Sequence, residues 1–235
     1  AEPASVSVAD VARTDVEGQV VVTWEPVTTD INGLTLPEGA VSYLLCTYTD
    51  RKWVPFAEGV MGTSYTYQAA EAGTQKFVQV GVFAQTDHGI GYGAVTEMIP
   101  VGTPYPGISE SFADSELKYI WGMSADEDAT VMLADDHYFS DIKSYDGDNG
   151  FLMMHGYTDC SASVMTGIVS LEGIENPALT FYTYNVVDSD GVPDDNEISV
   201  SVSEIGSDSW TEVMAPAKVN DLCSGYTKEW GKVTV

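Results

Sequence analysis

The feature that most limits what this chain can become is the period-two alternation of β-branched and aromatic residues. It recurs in Ser5-Val6-Ser7-Val8, Val20-Val21-Val22-Thr23-Trp24, Tyr43-Leu44-Leu45-Cys46-Thr47-Tyr48, Ser64-Tyr65-Thr66-Tyr67 and the run from Phe77 to Ala84. Clusters of Gly, Pro, Asp and Asn separate these runs, as turns between strands require. No window here long enough for a helix carries a 3.6-residue apolar stripe. Six or seven short strands in about 100 residues predict a β-sandwich.

Val101-Gly102-Thr103-Pro104-Tyr105-Pro106-Gly107 interrupts the pattern with two prolines and two glycines, which end a strand. A boundary is therefore expected there, giving domains 1–104 and 105–235. Strand signals resume in Gly150–Met154, Gly167–Leu171, Ala178–Tyr184, Ile198–Ser203 and Lys232–Val235. Ile198, Val200 and Val202 alternate with Ser199, Ser201 and Ser203, the mark of a sheet with one wet face. Acids crowding a first turn leave room for a short helix over Ser124–Asp136. The apolar Val233-Thr234-Val235 ending reads as a strand cut from a longer chain.

The 235 residues and 44% apolar content support packed cores in two domains. Acidic residues outnumber basic ones by 36 to 9, a formal charge of −27. Clustered Lys and Arg, which neutralising phosphates demands, are missing, so nucleic acid and anionic membrane are excluded as partners. No apolar run is long enough to span a bilayer. Residues 1–104 hold 12 acids and 4 bases, residues 105–235 hold 24 and 5, so the second half carries most of the negative field. Cys46, Cys160 and Cys223 lack C-x-x-C spacing, which argues against zinc and against a disulfide scaffold. Either Cys160 bridges Cys223 or all three are thiols; Cys46, on an apolar strand, is expected free.

Residues 1–104 resemble a fibronectin type III domain. The matching residues are Val22-Thr23-Trp24 with Glu25-Pro26, Tyr43, the alternating Val78, Val80, Val82 and Ala84, and Gly89. The resemblance implies a sandwich with Trp24, Tyr43 and the valines facing one another across two sheets. It departs from the family at the corner-tyrosine position, which holds Val78.

Residues 105–235 resemble the jelly-roll modules called MAM-like or cleaved-adhesin-like, found in exported proteins of gut and oral Gram-negative anaerobes. The matching pieces are Ile108–Phe112, Trp121, Asp146–Phe151, Gly167–Gly173, Asn176–Phe181, Ser199–Ser203 and Trp230–Val235. Ala113 stands where that family often has an acid. The fold class expected is thus all-β: a fibronectin type III-like sandwich, then a jelly roll that lacks its last strands.

With 24 acids in one half, carboxylate pairs carry no information about glycoside hydrolysis. His88 fits a polar turn, and His137, after Asp135-Asp136, fits a solvated ion pair. His155, Asp159 and Cys160 lie within a few residues, whereas catalytic partners usually converge from distant segments. No catalytic residue is assigned. Calcium is the favoured cofactor, since it takes oxygens from flexible Asp/Asn/Gly loops. Asp188-Ser189-Asp190-Gly191-Val192-Pro193-Asp194-Asp195-Asn196-Glu197 is one candidate loop and Asp146-Gly147-Asp148-Asn149 the other. The resemblance implies calcium at the second, while turn chemistry alone also accounts for both. Trp53, Tyr145, Tyr157 and Trp210 are the candidate aromatics for stacking on a sugar, against the usual fate of such rings as core or edge caps.

These residues describe a non-catalytic adhesion or glycan-binding module pair of a secreted or outer-surface protein. Its partner would be an extracellular glycan or protein, with the first domain as spacer. The alternative is an accessory segment of a carbohydrate-active enzyme or peptidase whose catalytic domain lies outside the chain.

Overall fold

The structure is a computed structural model, described over residues 1–49, 52–135, 142–156, 159–186, 195–207, 209–223 and 229–235. Its strands in the first hundred residues are β1 (Ala9–Arg13), β2 (Gln19–Trp24), β3 (Ser42–Thr49), β4 (Lys52–Val60), β5 (Ser64–Gln68), β6 (Gln75–Val78), β7 (Val80–Thr86), β8 (Gly89–Ile90), β9 (Ala94–Val95) and β10 (Ile99–Gly102). One sheet has the order β1-β2-β5; a second runs β4-β3-β7-β8, with β9 also on β7, and β6 pairs with β10. Every register among them is antiparallel. This is an all-β sandwich of the fibronectin type III kind, and its core is the expected one. Val20, Val22 and Trp24 of one sheet face Tyr43, Leu45, Val80, Val82 and Ala84 of the other, all buried. The Trp24 and Tyr43 rings lie 5.1 Å apart. Burying side chains of this size contributes about 1.5–3 kcal/mol each.

Several boundaries differ from the expected ones. The first strand is Ala9–Arg13 rather than Ser5–Val8, because Val6 donates its N–H to the carbonyl of loop residue Tyr92 and Val8 faces solvent. The Phe77–Ala84 run breaks at Gln79: Val78 pairs with Ile99 of β10, while Val80 pairs with Thr47 of β3. β10 extends the sandwich into the proline-marked segment, with Pro100 in strand and Val101 in the core. β4 was not expected at all; Pro55 removes an N–H, which an edge strand tolerates.

Further along come β11 (Trp121–Ala125), β12 (Ala129–Ala134), β13 (Phe151–Gly156), β14 (Ala162–Thr166), β15 (Thr180–Thr183), β16 (Glu197–Val202), β17 (Thr211–Lys218), the single turn α1 (Val219–Leu222) and β18 (Gly231–Thr234). Where the structure describes it, over 124–135, the stretch expected as a helix over Ser124–Asp136 is instead the end of β11, a turn and β12. Asp126 fixes that turn: its Oδ2 accepts both the N–H and the hydroxyl of Ser161, each at 2.7 Å. Those bonds pull the Asp126 carboxyl below its ordinary value. Gly167–Leu171 is not a strand of its own; Val169 only bridges Tyr105. Trp121 is half-buried.

By contact, the chain groups into two compact units. The first is Ala1–Ile108 with Leu117–Val131 and Met154–Ser170; the second is Ser109–Glu116, Met132–Met153 and Leu171–Val235. The first unit takes in stretches beyond residue 108, and a buried pair within it joins two of its segments. The Gln75 amide donates to the Ile168 carbonyl at 2.9 Å and accepts the Ile168 N–H at 2.7 Å. Tyr105 adds its own N–H to the same carbonyl at 2.9 Å. Within the first unit β11 pairs with β14, Trp121 opposite Thr166.

The second unit is held by β15 on β18, by the hairpin β16–β17, and by a small core of Ala134, Ile142 and Phe151. Met153, Tyr184 and Trp230 pack against that core, and the Trp230 indole donates to the Lys143 carbonyl at 2.8 Å. In β16, Ile198 and Val200 are half-buried and their serine neighbours exposed, as the alternation implied; Val202 breaks it and faces solvent.

Candidate functional site

The turn between β12 and β13 belongs to the second unit and gathers the most functional chemistry. Gly147 and Asn149 adopt left-handed φ of 79° and 69°. Buried Ser144 ties the turn, accepting the Gly147 N–H on its carbonyl and the Asn149 N–H on Oγ at 3.0 Å. Asp146 Oδ1 accepts the Asp148 N–H at 3.4 Å. The Asp148 carboxyl responds to two opposed effects. Burial pushes its pKa up; hydrogen bonds with the side chains of Ser111, Asp146 and Ser144 and from the Gly150 N–H outweigh that and hold it below its ordinary value. Its Oδ1 is shielded from solvent and has no hydrogen-bond partner. Gly150 is required here because a Cβ would fall 1.8 Å from the Phe112 carbonyl oxygen.

An ionised carboxylate with one shielded, unpartnered oxygen next to a second carboxylate is a donor set that fits a hard cation. The oxygens at hand are those of Asp146, Asp148 and the Ser111 and Ser144 hydroxyls. Among the described residues no group of three or more His, Cys, Asp and Glu is placed to hold a metal. A cation here would therefore draw on hydroxyls, carbonyls and water as well as the two carboxylates.

Tyr145 opens the same turn and is 52% exposed. Its ring stacks on Tyr182 of β15 with centroids 3.4 Å apart and planes 16° from parallel. The hydrogen bond with Tyr182 is the main reason the Tyr145 phenol sits above its ordinary pKa. The pair presents a flat aromatic step directly beside Asp146.

The other sequence candidates are dispersed. Trp53 lies on β4 of the first unit, half-buried, 5.1 Å from Tyr48 and 6.3 Å from Phe83. It lies over Gly81, where a Cβ would come within 3.1 Å of the indole. Trp210 stands just before β17 on the β16–β17 hairpin, 58% exposed. Asp195 forms a solvated ion pair with Lys218 at 2.7 Å, which raises the Lys218 pKa. Asp188, Asp190, Asp194, Tyr157 and His137 lie outside the described residues. His155 is exposed at the end of β13. Cys160 is half-buried, its sulfur standing 2.1 Å from where a Gly156 Cβ would be. All three cysteines are free thiols, so the Cys160–Cys223 bridge is not formed.

The turn at Asp30 was not among the sites expected from the sequence. Asp30 is buried, and its Oδ1 accepts the N–H of Asn32 and of Leu34, each at 2.9 Å. An Asp-x-Asn-Gly string in a polar loop was the available signal.

No family model matches the sequence, and no curated protein matches it. Solved structures similar to it include a mutant FN3tt domain at 12% identity, matched over 40% of this chain and 91% of that one, with a TM-score of 0.32. The twitchin kinase region from C. elegans matches at 18% identity over 42% of this chain and 16% of that one, TM-score 0.33. The fibronectin type-III domain of human fibronectin type III domain containing protein 3 matches at 17% identity over 43% and 87%, TM-score 0.29. The sandwich itself rests on the strand order and register given above. Among the described residues no helix is long and apolar enough to cross a membrane.

Proposed function

We propose that the chain is a non-catalytic glycan-binding or adhesive module pair of a longer, exported or cell-surface protein. The fibronectin type III-like sandwich is joined to a jelly-roll module of the MAM-like or cleaved-adhesin-like kind, beginning at residue 105. The ligand-binding face is the Tyr145/Tyr182 step with the Asp146–Asn149 turn. The observation that carries this reading is the exposed Tyr145 ring stacked on half-buried Tyr182, set beside a carboxylate with a shielded, unpartnered oxygen. Stacking on aromatic faces recognises the apolar face of a sugar ring, while carboxylates and cations take its hydroxyls. Calcium held by Asp146 and Asp148 would supply that second half of the recognition. Asp188, Asp190, Asp194 and Asp195 remain the candidate ligands of a second calcium.

A glycan array probed with the chain in millimolar calcium, and again with chelator, tests this. Binding to a restricted set of glycans, reduced by chelator and by Tyr145→Ala, is the expected result. An array without any bound glycan in either condition overturns the glycan assignment.

A further inference from the structure

The first unit has an end of its own that the spacer role leaves unexplained. β2 ends at Trp24 beside the start of β5, and β3 begins at Ser42 opposite Gln85 near the end of β7. The segments 25–41, 61–63 and 87–93 therefore meet at one end of the sandwich. The N-terminal residues join them, since Ile31 donates to Glu2, Val6 to Tyr92, and Trp24 to Thr63. This end exposes Ile31 (62%), Leu34 (67%), Met61, Ile90 and Tyr92 (86%).

Two observations separate these side chains from ordinary exposed apolars. The first is rigidity. Buried Asp30 pins the N–H groups of Asn32 and Leu34, donates its own N–H to the Leu34 carbonyl at 2.8 Å and accepts that of Gly33 at 2.9 Å. Gly33 sits at φ 80°, a conformation glycine adopts without strain. Ile31 and Leu34 are thus presented by an ordered turn, and an ordered surface loses less entropy on binding. The second is charge. Residues 1–8, 25–41, 61–63 and 87–93 contain Glu2, Glu25, Asp30, Glu38 and Asp87 and no Lys or Arg. Arg13, Lys52 and Lys76 stand at the opposite ends of their strands.

We propose that this end docks a protein partner whose contacting surface is apolar and basic. An acidic rim repels a second copy of this chain, at −27, and repels an anionic membrane. It steers Lys- and Arg-bearing surfaces toward the aliphatic knobs and suppresses wrong partners. The proposal concerns only the first unit and does not depend on the glycan face.

Peptides of about a dozen residues, crossing Leu/Trp-rich with Ser/Gln-rich and Lys/Arg-rich with Asp/Glu-rich compositions, serve as probes of this chemistry. Titrated into the full chain, the apolar–basic peptide alone is expected to bind, more weakly as salt rises. The double substitution Leu34→Ser with Tyr92→Ser should weaken it about tenfold or more, the loss of a small number of anchors. Both residues are exposed, so the melting curve should not move. Four results would each overturn the proposal: no peptide binding, equal binding of the polar–basic or apolar–acidic peptide, unchanged affinity of the double variant, or a self-association that the double variant abolishes.

Discussion

The Tyr43 hydroxyl accepts a hydrogen bond from the Val27 backbone N–H at 2.9 Å, with both residues buried. The bond ties β3 of one sheet to the segment leaving β2 of the other. Among the described residues it is a buried side chain-to-backbone tie made by a ring that also packs on Trp24. Tyr43→Phe keeps the ring against Trp24 but strands a buried N–H. It should cost about 1–3 kcal/mol, seen as a lower urea midpoint at unchanged slope. Leu45→Ala, which empties a fully buried site, should cost about 2–5 kcal/mol.

Gln75 and Ile168 exchange two hydrogen bonds across 93 residues of sequence. Gln75→Ala leaves the Ile168 N–H unpaired, at a cost of about 1–3 kcal/mol. Hydrogen exchange should show residues 162–168 losing protection together with β6. Protection lost at β6 alone would mean that 154–170 does not fold with the first unit.

These two relationships differ in how they could be read from sequence. Trp24, Tyr43 and the valines of β7 advertise themselves through alternation, because each strand has one face in the core. Gln75 is a polar residue whose partner is a backbone group, and no pattern of side chains records that. Pro55 in β4 and Pro216 in β17 hid two long strands, since Pro argues against strand except at edges. The acids at Asp126 and Asp128 mimicked a helix start, although Asp126 closes a turn through Ser161. At the candidate site, Asp146 and Asp148 were legible from turn chemistry. The stacking of Tyr145 on Tyr182 was not, because it joins residues from separate strands and turns.

Tyr67 offers a pH test of the first unit. Burial pushes its phenol from 10.0 up to about 12. The folded pKa lies above the unfolded one, so the neutral phenol's contribution to stability is complete below pH 10. It is lost as pH rises through about 12. Spectrophotometric titration at the phenolate band should show a step near pH 12 that Tyr67→Phe removes, and the same substitution should flatten the alkaline loss of stability.

Asp148 gives the opposite sign in the second unit. Its folded pKa is held below the unfolded value of about 3.9, so its ionised form stabilises the fold above that pH. The contribution disappears as pH falls through the folded value. Hydrogen exchange at the Phe151 amide should report faster opening at acid pH in the wild type, with a smaller pH dependence in Asp148→Asn.

Thiol chemistry should separate the cysteines by burial. Under denaturing conditions three groups should react, and in the native chain Cys160 should react ahead of buried Cys46 and Cys223. Burial, and then the Glu58 charge, push the Cys46 thiol up in pKa, which slows it further. A denatured count of one would restore the Cys160–Cys223 bridge.

The most direct test of the binding face is the affinity of one array-selected glycan for three proteins: wild type, Tyr145→Ala and Asp148→Asn. Each would be titrated in calcium and in chelator. The account predicts that Tyr145→Ala weakens binding about tenfold or more, and that Asp148→Asn or chelator does so without additive loss when combined. Undiminished affinity in Tyr145→Ala, or identical affinity with calcium and with chelator, would contradict it.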